Sequence, residues 1–183
     1  MRILLYTSLF LFCFNVLAQE DGLLSHTYGQ TITFKATNKW SKTTSHIDKK
    51  RNIQVYNFSR EAITSDSGGI YIATKSCLVE KIIPTTIKNY SLASLAAFKK
   101  KKDFKIVKTI TSSDGLLRLP YAIGYWAFYL DEKDVKHRLI IINGIHPASR
   151  GLQFFIDCPE PIFLQLEGEI TAEIRSLKKK KKK

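Results

Sequence analysis

The sequence is poor in cysteine, proline and glycine, and each shortage excludes a class of protein. Its 183 residues include three cysteines, five prolines and nine glycines, too few for a disulfide-dense scaffold or a collagen-like chain. No internal repeat is visible, which excludes a solenoid. After the first 18 residues, no stretch is long and apolar enough to cross a bilayer as a helix. The remaining length and the 44% hydrophobic residues suit one globular domain.

The first 18 residues have the parts of an export signal peptide. Arg2 provides a positive start, residues 3–14 are almost entirely apolar, and Val16-Leu17-Ala18 resembles a signal peptidase site. The apolar run is short for a membrane span, and a retained amino-terminal anchor is the alternative. We therefore expect cleavage near Ala18 and a secreted or periplasmic protein.

Positive charge is in excess. The formal net charge is +13 at pH 7, and the terminal run Lys178–Lys183 supplies six of these charges. Lysine runs attract anionic surfaces without specificity. We expect residues 178–183 to form a disordered tail that aids solubility or makes weak contact with anionic surfaces. Nucleic acid is not expected as a partner, because the aromatic residues fall mostly in predicted strands rather than among arginines.

Apolar spacing predicts one domain of sheet and helices. After a flexible lead-in at 19–30, alternation predicts strands at 31–36 and 53–58. Segments rich in apolar, β-branched or aromatic residues predict further strands at 70–76, 104–110, 121–130, 135–143 and 152–157. The polar, cationic segment 38–51 is predicted to be a long loop. Thr85 or Thr86 can cap a helix that runs to about Lys101, and a second helix is indicated by helical spacing of Phe163, Leu166, Ile170, Ile174 and Leu177. This order predicts an α+β domain at 31–177, in which a mostly antiparallel sheet packs with a middle helix and a C-terminal helix.

The arrangement resembles the PsbP-like fold family, which includes the photosystem II extrinsic protein PsbP, DcrB-type envelope proteins and a Ran-binding nuclear import factor. The segments that carry the resemblance are TITFKA followed by Trp40, then IQVYNF, FKIVKTI, YAIGYWAFYL, HRLIIING, LQFFIDC and EIRSL. They span most of residues 31–177 and match in pattern rather than in a signature motif. The resemblance implies a PsbP-like sandwich and a non-catalytic module that binds or stabilises partners. It carries over no catalytic residue and no cofactor.

Two patterns suggest catalysis but are better explained by structure. Asp66-Ser67-Gly68-Gly69 is similar to the nucleophile segment of trypsin-like proteases, yet no histidine lies in a base motif and the chain is too short for their scaffold. Paired carboxylates could serve a glycosidase. The acidic group at 131–134 is predicted to lie in a solvated turn, and Glu167, Glu169 and Glu173 on the polar face of the last helix. We therefore expect no catalytic residue.

Cys77 and Cys158 are the cysteines that remain after signal cleavage. Exported thiols often pair, so these two are a candidate disulfide. A bridge needs Cα atoms within about 7 Å and is impossible if the two strands are direct antiparallel neighbours. Two separately buried thiols are the alternative. Two cysteines, with no histidine at ligand spacing, are too few for zinc, and no metal is expected.

The expected function is that of an exported, non-catalytic binding or accessory protein that acts on an envelope or secreted protein. The alternatives are a small secreted hydrolase with an unrecognised site and an immunity or inhibitor-type protein. Partner contact is predicted where the loops 38–51 and 144–151 present Trp and Arg anchors, at Trp40, Lys42, His146 and Arg150. For Trp40 the alternative is that its ring closes the end of the core.

Overall fold

A seven-stranded antiparallel sheet forms the centre of the protein in the computed structural model, which describes residues 24–28, 32–50, 52–119, 121–146 and 150–179. Its strands, in spatial order, are Trp40–Asp48 (β3), Ile53–Arg60 (β4), Thr74–Lys81 (β7), Arg150–Pro159 (β11), Lys136–His146 (β10), Ala122–Leu130 (β9) and Lys102–Ile110 (β8). A small sheet contains Leu24–Tyr28 (β1), Ile32–Ala36 (β2) and Lys178–Lys179 (β12), and Ile63–Thr64 (β5) pairs with Ile70–Tyr71 (β6). The helices are Ile87–Phe98 (α1) and Glu160–Ser176 (α2), with a 3-10 turn at Ser112–Asp114.

The two helices cover opposite faces of the large sheet. Side chains alternate between the faces of a strand, so in β10 Ile140 and Ile142 pack on the side of α2, whereas Leu139 and Ile141 pack on the side of α1. The buried residues of α2 include four of the five that the spacing predicted, namely Phe163, Leu166, Ile170 and Ile174, and the fifth, Leu177, is buried directly after the helix ends. The predicted α+β class, with a mostly antiparallel sheet and two helices, is confirmed.

Both helices begin where local sequence favours it. The Thr86 side chain caps α1 by accepting a hydrogen bond from the Asn89 backbone N–H at 3.2 Å. Helix α2 starts directly after Pro159, and Glu160 in its first turn and Arg175 in its last turn suit the helix dipole.

Strand β3 is the main departure from the sequence prediction, which treated 38–51 as a loop. All but the two end residues of Trp40–Asp48 are exposed, because β3 is an edge strand that little else covers. An edge strand exposed on both faces needs no alternation of apolar residues, and so it lacks the signal by which strands are recognised. The predicted strand 70–76 is likewise two strands, β6 and β7.

The two predicted terminal segments are partly ordered. Part of the lead-in at 19–30 forms β1. The first two residues of the lysine run form β12, in which Lys178 and Lys179 pair with β2. The predicted signal peptide at 1–18 and the tail residues 180–183 lie outside the described residues.

Candidate interaction surface

The structure does not bring the predicted contact residues into one patch. Followed across the sheet from β3 through β4 and β7 to β11, the strand register aligns Lys42 with Ile156. Ile156 is six residues along β11 from Arg150. Six residues of strand span about 20 Å. Arg150 pairs in register with His146 at the β10–β11 turn and donates to the Asn52 side-chain oxygen at 3.1 Å. Lys42 and Arg150 therefore lie towards opposite ends of the sheet.

Trp40 is a core residue rather than a surface anchor. Its side chain is 3% exposed, and its indole N–H donates to Glu169 Oε1 at 2.5 Å. The Lys75 ammonium lies 4.1 Å from the centroid of the ring. Because the ring is enclosed by the protein's own groups, the prediction that it faces a partner is replaced by the alternative in which it closes the end of the core.

A buried ion pair, which the sequence reading missed, lies beside Trp40. Lys75 Nζ is 2.6 Å from Glu173 Oε1, and each residue is 2% exposed. The ammonium is also 5.0 Å and 5.2 Å from the ring centroids of Phe34 and Phe58, so that aromatic faces replace part of its hydration. The prediction that Glu173 is solvated is therefore wrong.

Burial opposes the charge of both partners. It raises the pKa of Glu173 from an ordinary 4.5 to about 7, although the Lys75 ammonium pulls this pKa down. Burial also lowers the pKa of Lys75. Among the described residues, Glu173 Oε2 has no hydrogen-bond partner. The pair is enclosed between β7 and α2, and we interpret it as part of the core rather than as a binding site.

Signals for this pair existed in the sequence. Lys75 alternates in phase with the buried Cys77 and Val79 along β7, and Glu173 lies three residues after the buried Ile170 on α2. Each spacing places a charge on an inward face. That the two charges are buried because they pair with each other becomes evident only when β7 and α2 are known to be in contact.

Helix α2 leaves part of the sheet uncovered, and this part begins beside the contact between α2 and β9. Phe163 of α2 reaches Trp126 of β9 edge-on, with ring centroids 5.8 Å apart. Beyond this contact, Trp126, Phe128 and Leu130 are partly exposed on the same face. The register places a lysine of β8 directly opposite each of them, in the pairs Lys108–Trp126, Lys105–Phe128 and Lys102–Leu130. We name this the β8–β9 face and define it by Lys102, Lys105, Lys108, Trp126, Phe128, Leu130 and Lys136.

Among the described residues, the positive charge of the β8–β9 face is neutralised at Lys102 and Lys136 but not by an ion pair at Lys105 or Lys108. Next to the face, Arg138 binds both oxygens of Glu160, and this contact raises the pKa of Arg138. Lys102 pairs with Asp134. In the part of the chain that the structure describes, Lys105 and Lys108 have no ion pair. Two exposed ammonium groups therefore border a row of partly exposed apolar side chains.

The edge of β8 is irregular. The register shifts between Lys102 and Lys105 and again between Ile106 and Lys108, and Asp103 has a φ of 51°. Bulges and lysines on an edge strand oppose the addition of another strand. The edge of β8 is therefore poorly suited to pair with a further strand.

A polar network on the opposite, α1 face includes His137. Asp157 accepts from the Tyr129 hydroxyl at 2.6 Å and lies 2.6 Å from His137 Nδ1, while Asp131 lies 3.5 Å from His137 Nε2. Burial and the neighbouring Asp157 raise the pKa of Tyr129. None of the four residues is a serine, threonine or cysteine that could act as a nucleophile. The network joins β9, β10 and β11 at one end of the sheet.

The described residues include neither a candidate metal site nor a helix that could span a membrane. No group of three histidine, cysteine or acidic side chains is placed to hold a metal ion there. No helix in the same residues has the length and apolar character needed to cross a membrane.

Cys77 and Cys158 lie on neighbouring antiparallel strands and are not bridged. Cys77 is opposite Phe154, four residues along β11 from Cys158. That separation is about 13 Å along the strand, beyond the roughly 7 Å that a bridge allows. The structure therefore favours the alternative of two separately buried thiols, and both cysteines are free and buried.

We expect both thiols to be unreactive in the native protein and reactive after denaturation without reductant. Burial raises the pKa of each thiol to about 12, so almost no thiolate is present at neutral pH. Titration with a thiol reagent before and after denaturation measures this. A denatured, unreduced chain in which Cys77 and Cys158 stay unreactive would instead establish the bridge.

Comparisons with known proteins support the fold. No family model and no curated protein matches the sequence. The chain is similar to cyanobacterial PsbP from Synechocystis sp. PCC 6803, with 9% identity, a TM-score of 0.52, and coverage of 87% of this chain and 93% of that one.

Two weaker likenesses have TM-scores below 0.5. LpqN of Mycobacterium tuberculosis, which is involved in cell envelope biogenesis, has 10% identity, a TM-score of 0.48, and coverage of 88% of this chain and 87% of that one. The Ran-binding protein Mog1p of Saccharomyces cerevisiae has 9% identity, a TM-score of 0.49, and coverage of 86% and 96%. The likeness to cyanobacterial PsbP, together with the observed sheet and helices, confirms the resemblance seen in the sequence: the chain has a PsbP-like α+β fold.

Proposed function

We propose that this protein is an exported, non-catalytic binding or accessory protein that contacts an envelope or secreted protein through the β8–β9 face. The observation that carries the proposal is the row Trp126, Phe128 and Leu130, which is left partly exposed beside α2 and faces three lysines of β8. A buried core would cover such a row completely. Partly exposed apolar groups inside a charged rim are typical of protein contact surfaces.

The residue types of this face support protein contact. Tryptophan and phenylalanine supply large contact areas with few rotatable bonds, and tryptophan is enriched among interface anchors. Trp126 is held by its edge contact with Phe163. Lys136 is held with its ammonium 4.8 Å from the Phe128 ring centroid. These two side chains are preorganised, so ordering them on binding would cost little entropy.

Export is part of the proposal and rests on the segment Met1–Ala18. Its positive start, apolar run and small residue at the cleavage position are the features that a signal peptidase recognises. Mass spectrometry of the protein recovered from its host is expected to find a chain that begins at Gln19. Recovery of a chain that still carries the apolar segment would support the retained anchor instead.

The lysine tail is proposed to act separately from the face. Lys178 and Lys179 pair with β2 in the small sheet. The β8–β9 face belongs to the large sheet, at the edge formed by β8, whereas β3 forms the other edge of that sheet. The run Lys178–Lys183 would add weak, salt-sensitive contact with anionic surfaces. It would raise local concentration without choosing the partner.

Charge reversal on the β8–β9 face is expected to abolish capture of the partner. The experiment uses the protein as bait in the exported fraction of its host and compares it with the double variant Lys105→Glu and Lys108→Glu. Both lysines are exposed and lack ion pairs among the described residues, so the fold should survive. We expect the captured protein to fall by at least about tenfold, because like charges across an interface repel.

The matched control is the double variant Lys42→Glu and Arg150→Glu. It makes the same change in net charge at the two places that the sequence predicted as contacts. We expect it to retain capture. Loss of capture in this control alone would favour the sequence-predicted contacts and contradict the assignment to the β8–β9 face. Circular dichroism of both variants checks that each is folded.

A further inference from the structure

We infer that the β8–β9 face binds an acidic, extended segment of a protein. The inference rests on the proposed function and names the chemistry of its partner. It follows from the arrangement of the two lysines without ion pairs, from the orientation of the aromatic rings, and from the exposed apolar side chain of Leu164 on α2.

The two unpaired cations are spaced for carboxylates on alternate residues. Lys105 is opposite Phe128 and Lys108 is opposite Trp126, and these two residues of β9 are two apart. Two residues along a strand are about 7 Å, which is also the distance between alternate side chains of an extended peptide. Lysine ammonium groups on flexible stems can follow such carboxylates without the fixed fork of arginine.

The aromatic rings are not arranged as stacking platforms for nucleic-acid bases. Trp126 meets Phe163 at an interplanar angle of 85°, and the Lys136 ammonium lies over the Phe128 ring. Base recognition on a sheet needs ring faces that are open to the ligand. Rings that are flanked in this way instead offer edges and a shallow apolar floor, against which aliphatic side chains can pack.

Helix α2 adds one exposed apolar side chain, Leu164, beside this floor. Leu164 is 82% exposed, and its spacing of four residues from Glu160 and three from Glu167 places it on the flank that borders Arg138. Trp126 and Phe128 are partly buried in the sheet, whereas a membrane anchor needs apolar side chains that are free to enter the lipid. A peptide that is acidic towards β8 and apolar towards α2 fits both sides of the face.

The test is a binding titration with defined probes. All proteins carry the replacement of Lys180–Lys183 by serine, so that the tail cannot bind acidic probes. The probe is a peptide in which glutamate alternates with serine and which ends in leucine, and its control has glutamine in place of glutamate. The other probes are phosphatidylglycerol vesicles and a single-stranded oligothymidylate. Calorimetry measures affinity, and tryptophan fluorescence reports on Trp126.

We expect the glutamate peptide to bind at least about tenfold more tightly than the glutamine peptide, and to weaken as salt rises above about 0.1 M. The double variant Lys105→Glu and Lys108→Glu should lose this difference, and the variant Lys42→Glu and Arg150→Glu should keep it. Equal affinity for the two peptides would overturn the inference. Stronger binding of vesicles or oligothymidylate through Lys105 and Lys108 would also overturn it.

Failure of the inference can be distinguished from failure of the proposed function. If capture from the exported fraction requires Lys105 and Lys108 but the glutamate peptide does not bind, the function stands and the partner chemistry is wrong. If capture is the same in wild type and in the Lys105→Glu and Lys108→Glu variant, the proposed function is wrong, and the inference that rests on it is overturned as well.

Discussion

Replacement of Glu173 by leucine is expected to lower the free energy of unfolding by about 3 to 5 kcal/mol. The variant leaves the Lys75 ammonium 2% exposed and without its carboxylate at 2.6 Å. The rings of Phe34, Phe58 and Trp40 attract this ammonium, but they do not replace a charged hydrogen-bond acceptor. Chemical denaturation of the variant and of wild type measures the loss.

A double variant separates the net contribution of the ion pair to the free energy of unfolding from the cost of leaving one buried charge without its partner. With Lys75→Met and Glu173→Leu together, neither charge of the pair remains buried, and stability should return to wild type or exceed it by about 1 to 4 kcal/mol. The control is Glu167→Leu on the exposed side of α2, which should change stability by less than about 1 kcal/mol. A Glu173→Leu variant as stable as this control would show that Lys75 finds solvent or another partner.

Replacement of Trp40 by alanine is expected to lower the free energy of unfolding by about 3 to 5 kcal/mol. The ring is 3% exposed, donates to Glu169 and covers one side of the Lys75 ammonium. Alanine would leave a large cavity at the end of the core and would remove one of the donors to Glu169, which also accepts from Thr37 and Arg60. Thermal or denaturant unfolding, followed by circular dichroism, measures the change.

Trp126 provides the matched control, because it is the second tryptophan and is only partly buried. Trp126→Ala should cost less stability than Trp40→Ala, and it should weaken capture of the partner, since Trp126 lies on the β8–β9 face. The conservative variant Trp40→Phe should retain capture. If Trp40→Phe folds but loses capture while Trp126→Ala does not, Trp40 would be the contact residue after all.

Local sequence determined the helices of this protein. Thr86 caps α1 with its own side chain, and the apolar spacing from Phe163 to Ile174 produces the buried side of α2. Both signals act over three or four residues, within one or two turns of helix. They are therefore present in the sequence whatever the helix later packs against.

Apolar patterning, either alternation or a continuous apolar run, determined most of the strands and, with them, the α+β class. It worked where one face of a strand is buried or, as at Ile140 to Ile142 of β10, where both faces are buried. It failed for Trp40–Asp48, because this edge strand is largely exposed on both faces. The hydrogen bonds that make β3 a strand are those with β4, and no pattern within 38–51 specifies them.

The packing of strands and helices determined which charges are buried and which aromatic side chains are exposed, and the sequence alone did not predict this. Lys75 and Glu173 are 98 residues apart, and each resembles a surface charge until β7 and α2 are packed together. The β8–β9 face likewise exists because Lys105 and Lys108 fall opposite Phe128 and Trp126 in register. Sequence periodicity determines which face of an element is apolar, whereas the burial of a charge or the exposure of an aromatic ring depends on the neighbour that covers that face.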